Sequence, residues 1–321
     1  MNEIYVFGYN GFVGSHFTEQ LLSDKKNDAN FKINLISRGS KPEQLDILQD
    51  EDQRLNFIRS SIEVIPEALF TSANSKVIYY FAAKVDFYAK EEIIARNVEP
   101  FQHILNIVPT SELNKIVYIS TLGVFDREKK SRACPPLTES SPNFPSSFYG
   151  VGKLRSEELL RSSGHRYHII RLPWCYGSRM KSSHHLIKIQ ASMNSLNPLY
   201  FLSWPGRVSV LSVDDIYSRI ERILLTLPCM SDINISDSYA PTFGELFQIL
   251  GRGIGKQRGK IKIPKWIISV LTTLIPFLPF TARCLFQNGL YTKSEINARL
   301  FHNLGDIREF NEKRLGDRLH E

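Results

Sequence analysis

Ile4-Tyr5-Val6-Phe7-Gly8-Tyr9-Asn10-Gly11-Phe12-Val13-Gly14 opens the chain with an apolar run, a glycine turn and the start of an amphipathic segment. A short apolar run closed by glycine reads as a buried strand, and the change of period after it reads as a helix. The glycines follow a GxxGxxG spacing. Glycine permits a tight turn and lets backbone amides approach a pyrophosphate, while Gly14 lets the helix lie close to the sheet. The helix start then offers N–H donors and the positive end of a dipole. Strand, turn and helix together form a dinucleotide-binding signature, with Gly8, Asn10, Gly11, Phe12, Val13 and Gly14 as its candidate contacts.

The alternation continues outward from this stretch. Apolar runs at residues 32–36, 55–58, 77–82, 116–120 and 168–171 predict further strands, and 12–22, 91–108 and 149–162 predict helices. Strands separated by helices imply βαβ units and a parallel sheet. The expected class is α/β: a Rossmann-type doubly wound parallel sheet with a smaller, irregular C-terminal lobe. After about residue 175 the rhythm breaks into loops rich in Ser, Pro and Asn at 178–183, 192–198 and 227–238. Residues 1–175 are therefore expected to form the dinucleotide-binding domain. Residues 176–321 are expected to form mainly a substrate-binding lobe, with the chain crossing between the two.

Composition removes several classes. The 321 residues are 42% hydrophobic, which excludes a disordered or collagen-like chain. Cys134, Cys175, Cys229 and Cys284 stand far apart with no CxxC or zinc-ligand spacing, so no metal is expected. No basic stretch, apolar run and cleavage site precede Ile4, and the expected compartment is the cytoplasm. The formal charge of +7 is spread along the chain without a recognition motif, and nucleic acid is not an expected partner. Residues 266–286 are the most apolar stretch, preceded by Arg252, Lys256, Arg258, Lys260, Lys262 and Lys265. Pro276, Pro279 and Arg283 argue against a membrane span. A helix buried in the second lobe is the first reading of 266–286, and peripheral contact with a membrane surface through 252–286 the second.

Two further patterns carry chemistry. At the end of the second strand, where NAD enzymes place an acidic residue for the ribose, the chain reads Ser37-Arg38-Gly39-Ser40-Lys41. Ser37, Arg38 and Lys41 suit a 2′-phosphate, so NADP(H) is the expected cofactor and NAD(H) the alternative. Tyr149-Gly150-Val151-Gly152-Lys153 is a YxxxK motif. On a helix this spacing sets phenol and ammonium on one face. A free tyrosine titrates near pH ~10, and a neighbouring lysine cation moves it toward neutrality. Ile119-Ser120-Thr121, about 30 residues earlier, ends a strand and offers a hydroxyl to a substrate carbonyl.

With these features in place the chain resembles the extended short-chain dehydrogenase/reductases, the NAD-dependent epimerase/dehydratase family. The resemblance extends to Phe81-Ala82-Ala83, Asn97-Val98, Val124-Phe125, Arg171-Leu172-Pro173-Trp174-Cys175-Tyr176-Gly177 and Val213-Asp214-Asp215. It implies Thr121, Tyr149 and Lys153 as catalytic residues. It also implies Ala82, Ala83, Asn97 and Pro173 as cofactor contacts, beside Tyr149 and Lys153 themselves. Lys84, Thr121 and Arg207 follow as substrate contacts, Arg207 toward a sugar-nucleotide phosphate. A helix pair forming a homodimer is common in the family, and 91–108 and 149–162 fit that role or simple packing on the sheet. Dehydratases of the family place Asp-Glu after the threonine; Leu122-Gly123 stand here. The acidic residue near the adenine is replaced within Arg59-Ser60-Ser61.

The expected activity is reduction of a 4-keto nucleotide sugar, with Tyr149 as acid/base. The alternative is a nucleotide-sugar (UDP-hexose) 4-epimerase. Reduction of a steroid-like or phenolic carbonyl, and a non-catalytic NADP-binding sensor, are the remaining readings.

Overall fold

The computed structural model describes residues 2–25, 30–39, 54–85, 90–125, 135–182, 184–274, 280–288 and 291–301. Six strands follow in chain order: β1 (Asn2–Phe7), β2 (Phe31–Ser37), β3 (Leu55–Arg59), β4 (Lys76–Tyr80), β5 (Asn114–Thr121) and β6 (Arg166–Leu172). The shorter β7 (Trp174–Tyr176), β8 (Leu202–Ser203), β9 (Val210–Ser212), β10 (Ser231–Asn234) and β11 (Ile261–Lys262) come after them. The chain divides into two compact units, one built from 1–124, 147–171 and 214–233, the other from 125–146, 172–213 and 234–321.

The first unit holds a seven-stranded sheet in the order β10-β6-β5-β4-β1-β2-β3. Strand β1 pairs in parallel with both β2 and β4, as β2 does with β3 and β4 with β5. Ile4, Tyr5, Val6 and Phe7 are all buried, as a central parallel strand covered on both faces requires. The order reverses at β1 and β4, which creates the crevice where doubly wound sheets bind ligands. The Rossmann-type fold read from the sequence is the fold found.

On one face of the sheet the helix Glu92–Ile107 packs Phe101 and Ile104 into a core with Tyr80 and Tyr118. The helix Phe148–Ser162 lies beside it, and Gly152 makes the approach close: a Cβ there would lie 3.4 Å from the Cα of Ile94. The two helices thus pack on each other within one chain. On the other face the helix Phe12–Lys25 carries Phe17 against Tyr79 and Tyr217, with ring centroids 4.6 and 5.4 Å apart. Tyr217 belongs to the helix Ile216–Thr226, and its hydroxyl donates to Asp24 across 2.6 Å.

The reading of 227–238 as a loop is corrected by β10. Its Ser-Asp-Ile-Asn sequence has low strand propensity. Tertiary contacts override that: Ile233 is fully buried, and the Asp232 carboxylate accepts a hydrogen bond from Arg171 across 2.8 Å.

The second unit has its own core around Tyr176, Leu186, Val208, Phe243, Leu246 and Leu250. The pairs β7–β9 and β8–β11 are parallel. A capping box of Thr242 and Glu245 starts the helix Phe243–Arg252. The apolar stretch 266–286 divides in behaviour. Cys284 is buried in this core, whereas Trp266 and Val270, one turn apart on the helix Lys265–Thr273, are 68% and 53% exposed. Among the described residues no helix is long and apolar enough to cross a membrane.

Candidate active site

The glycine turn occupies the crevice between β1 and β4. Gly8 has φ +79°, a left-handed conformation that disfavours any side chain, and a Cβ there would lie 2.8 Å from the amide nitrogen of Ala82. The Gly11 amide donates to the Gly8 carbonyl across 3.0 Å and closes the turn. The helix that follows has no acidic residue in its first turn, so its positive end is uncompensated. Asn10 and Gly11 are exposed, Phe12 and Val13 half-buried, and Gly14 buried beneath them. This cradle of glycine backbone and helix N-terminus fits a pyrophosphate.

At the end of β2, Ser37 is buried and its hydroxyl accepts the Gly39 amide at 3.0 Å. Arg38 is exposed, and Arg59, the register partner of Ser37 on β3, is exposed beside it. Two guanidinium groups therefore follow the ends of adjacent strands. The Glu63 carboxyl is held below the usual carboxylate range by the Ser61 hydroxyl and, to a lesser degree, by the Arg38 charge. Lys41 and Ser40 lie outside the described residues.

After β4, the Phe81 amide donates to the Phe7 carbonyl and carries Ala82, Ala83 and Lys84 across the crevice. Asn97 is buried and devoted to this loop. Its Oδ1 accepts the Lys84 amide at 2.8 Å, and its Nδ2 donates to the carbonyls of Lys84 (3.1 Å) and Ile93 (3.0 Å). These are the contacts of a residue that shapes the loop. Lys84 itself is exposed.

Ser147 caps the helix Phe148–Ser162 by accepting the Gly150 amide. Tyr149 and Lys153 follow one turn apart on its buried face. Lys153 Nζ donates to the Ile119 carbonyl across 2.7 Å and stands 4.6 Å from the centre of the Tyr118 ring. Burial lowers the Lys153 ammonium to about 7, against the opposing pull of the Glu157 charge. Thr121 ends β5, and its Oγ1 accepts the Gly123 amide at 3.1 Å, which leaves the hydroxyl hydrogen to donate elsewhere.

Thus the glycine turn, Ser37, Arg38, Ala82, Ala83, Lys84, Asn97, Thr121, Tyr149 and Lys153 are all carried by the first unit. Pro173 and Arg207 belong to the second. Pro173 joins β6 to β7, and its carbonyl accepts from the Cys175 thiol at 3.7 Å. Arg207 donates to the Ala240 carbonyl across 2.7 Å. Among the described residues no group of His, Cys, Asp or Glu is arranged to hold a metal.

A sequence profile described as the NAD dependent epimerase/dehydratase family matches residues 4–226. The chain belongs to that family. An uncharacterised UDP-glucose epimerase of Bacillus subtilis is 28% identical over 200 residues, covering 58% of this chain and 61% of that protein. A UDP-glucose 4-epimerase assigned in Methanocaldococcus jannaschii is 24% identical over 78% of this chain and 82% of its own. A UDP-glucuronic acid 4-epimerase from Bacillus cereus, solved with UDP-glucuronic acid and NAD, superposes with a TM-score of 0.70 at 20% identity, over 99% of each chain. A dTDP-glucose 4,6-dehydratase from Bacillus anthracis, solved with NAD, gives 0.71 at 18% identity, over 100% of this chain and 96% of the other. The fold of this epimerase/dehydratase family member is therefore that of extended short-chain dehydrogenase/reductases.

The sequence reading missed Glu157. Its signal was available: Tyr149, Lys153 and Glu157 repeat at four-residue intervals, which keeps all three on one helix face.

Proposed function

We propose that this chain transfers hydride at C4 of a nucleotide sugar, with Tyr149 as acid/base. The observation that carries the proposal is the Lys153–Ile119 hydrogen bond, which joins the Tyr149 helix to the strand that ends in Thr121. A bound nicotinamide dinucleotide supplies the hydride chemistry. Tyr149 exchanges the proton of the C4 oxygen, and the Thr121 hydroxyl donates to that same oxygen. Lys153 stabilises the phenolate of Tyr149 by charge. The glycine cradle holds the pyrophosphate at the helix N-terminus. Leu122 is buried and Gly123 follows it, so no acid stands after Thr121 to drive loss of water.

The first reading is reduction of a 4-keto sugar with NADP(H). The absence of a carboxylate at the end of β2 supports it, as do the exposed guanidinium groups of Arg38 and Arg59. The hydride goes to the carbonyl carbon, and the Tyr149 proton goes to its oxygen. The second reading is 4-epimerisation with NAD(H). Its support is that similar proteins are described as UDP-sugar epimerases, two of them as 4-epimerases and one of these solved with NAD. Arg207 is proposed for a substrate phosphate, so Arg207→Ala should raise KM.

Mixing the purified chain and NADPH with a UDP-4-keto-6-deoxy sugar, and following nicotinamide absorbance, tests the first reading. Stoichiometric loss of NADPH supports it. No loss, together with interconversion of UDP-hexoses in the presence of NAD, replaces it with the second. Failure of both abandons nucleotide sugars.

We also propose that 261–274 contacts anionic lipid. Trp266 and Val270 are exposed along one helix face, with Ile261 and Leu274 exposed at either side. Lys256, Lys260, Lys262 and Lys265 are exposed around them, and the sequence has no acidic residue between Glu245 and Glu295. Apolar anchors interleaved with cations are the pattern of an interfacial helix.

A further inference from the structure

Glu157 is fully buried, yet it is ionised. Burial opposes its charge, but the hydrogen bonds and charge of Arg171, with the Ser120 hydroxyl and the Arg161 charge, together hold its carboxyl below the usual range. Arg171 donates to both carboxylate oxygens, Nε to Oε1 at 3.0 Å and Nη2 to Oε2 at 2.7 Å. Arg161 adds a bond at 2.8 Å, and Asp232 receives bonds from both arginines. A buried charge is costly unless paired and hydrogen-bonded, and a bidentate arginine is the strongest such partner. An anchor of this kind is rigid.

The remaining bond of Glu157 points at the site. Its Oε1 accepts the Ser120 hydroxyl across 2.6 Å. Ser120 stands between Ile119, whose carbonyl Lys153 holds, and Thr121. The helix face bearing Tyr149, Lys153 and Glu157 therefore grips two consecutive residues of β5 immediately before Thr121. We infer that Glu157 is a positioning residue, which fixes the Tyr149 helix in register with Thr121 and maintains the charge on Lys153.

This rests on reading Tyr149 and Lys153 as the acid/base pair. Two effects follow from the geometry. First, Glu157 and Lys153 act as two points of attachment between helix and strand, which prevents both sliding and rotation. A misplacement of about 1 Å in a reacting group costs on the order of 10²-fold in rate. Second, the titratable groups facing Lys153 among the described residues include Tyr149 and Glu157 on its own helix and Tyr118 on β5. Glu157 lies on its own helix and favours the ammonium; β5 presents the Tyr118 ring to it, whose negative face also favours the cation. Burial works against both and brings the ammonium to about 7. Loss of the Glu157 charge shifts that balance toward neutral lysine.

The test uses the full chain with NAD, labelled with lysine carrying 13C at Cε. The Lys153 resonance is assigned by its absence in Lys153→Met, and its titration is followed in wild type, Glu157→Gln and Ser120→Ala. Glu157→Gln is expected to move the Lys153 midpoint down by at least about 0.5 pH unit, the effect of removing one nearby charge. Ser120→Ala is expected to leave that midpoint in place and lower kcat about tenfold or more with KM unchanged. An unmoved Lys153 midpoint in folded Glu157→Gln overturns the inference. Should Glu157→Gln fail to fold, Ser120→Ala decides, and an undiminished kcat overturns it. A wild type inactive on every nucleotide sugar refutes the proposed reaction instead, and the lysine titration still judges Glu157.

Discussion

A Cβ on Gly14 would lie 2.3 Å from the carbonyl oxygen of Gly8. The first helix lies too close to the turn that follows β1 for any side chain at this position, and the approach presents its N-terminus to the crevice. Gly14→Ala is therefore expected to cost stability by about 1–3 kcal/mol through overpacking. It should also weaken dinucleotide binding tenfold or more. Chemical denaturation and a fluorescence titration with NADPH and NADH measure the two effects. An alanine variant with native affinity would show that the turn does not cradle the pyrophosphate.

Tyr149→Phe keeps the ring and removes the proton. Turnover should fall by about 10²–10⁴-fold, the usual share of a general acid–base group, while the dissociation constant of the dinucleotide stays within about twofold of wild type. Single-turnover kinetics and cofactor titration on the same preparation make the comparison. Retained turnover would move the acid/base role to another residue.

Arg38 provides the test of cofactor choice. Arg38→Asp should weaken NADPH far more than NADH, because the new carboxylate repels a 2′-phosphate and suits a ribose hydroxyl. Removing Arg59 as well should deepen the difference. Equal losses for both cofactors would assign Arg38 to adenine stacking or to pairing with Glu63.

Stability should fall in mild acid. His168 is fully buried, with no partner for either ring nitrogen among the described residues. Burial, aided by the charges of Lys115 and Arg166, depresses it to about 4. The unfolded chain takes up this proton near pH ~6.5, the folded chain only near 4. Between those values the unfolded state binds more protons, so stability declines as pH falls, by up to about 1.4 kcal/mol per pH unit for this group. His184 and His185, lowered by burial to about 4 and 3, act in the same direction. Urea melts from pH 7 to 4.5 record the slope, which His168→Leu should flatten.

The exposed stripe at Trp266 is tested by flotation with phosphatidylcholine vesicles, with and without phosphatidylglycerol. Recovery with the anionic vesicles only, lost at high salt and in Trp266→Ser/Val270→Ser, is the expected result. A protein that stays in the soluble fraction in every case excludes lipid. A concentration-dependent dimer abolished by the same double variant would give the stripe to a second copy instead.

Short-range pattern was enough for much of this molecule. Backbone sterics and burial of apolar runs act over a few residues, so the strands at 4–7 and 116–120, the GxxGxxG turn and the Tyr149–Lys153 face are legible in one dimension. The order β3-β2-β1-β4-β5-β6 is one of the few that right-handed crossovers allow. Long-range contacts decided the remainder. The strand at 231–234 has no pattern of its own and exists because Ile233 is buried and Asp232 meets Arg171, 61 positions earlier. Asn97 reads in the sequence as a cofactor contact, and only the fold shows that its amide is also bonded to the backbone of Lys84 and Ile93. The four-residue spacing puts Glu157 on the Tyr149–Lys153 face, with Arg161 one turn on, but only folding sets Ser120 and Arg171 against it. A charge acquires its role from the groups that desolvate and pair it, and those come from segments the chain brings together only in three dimensions.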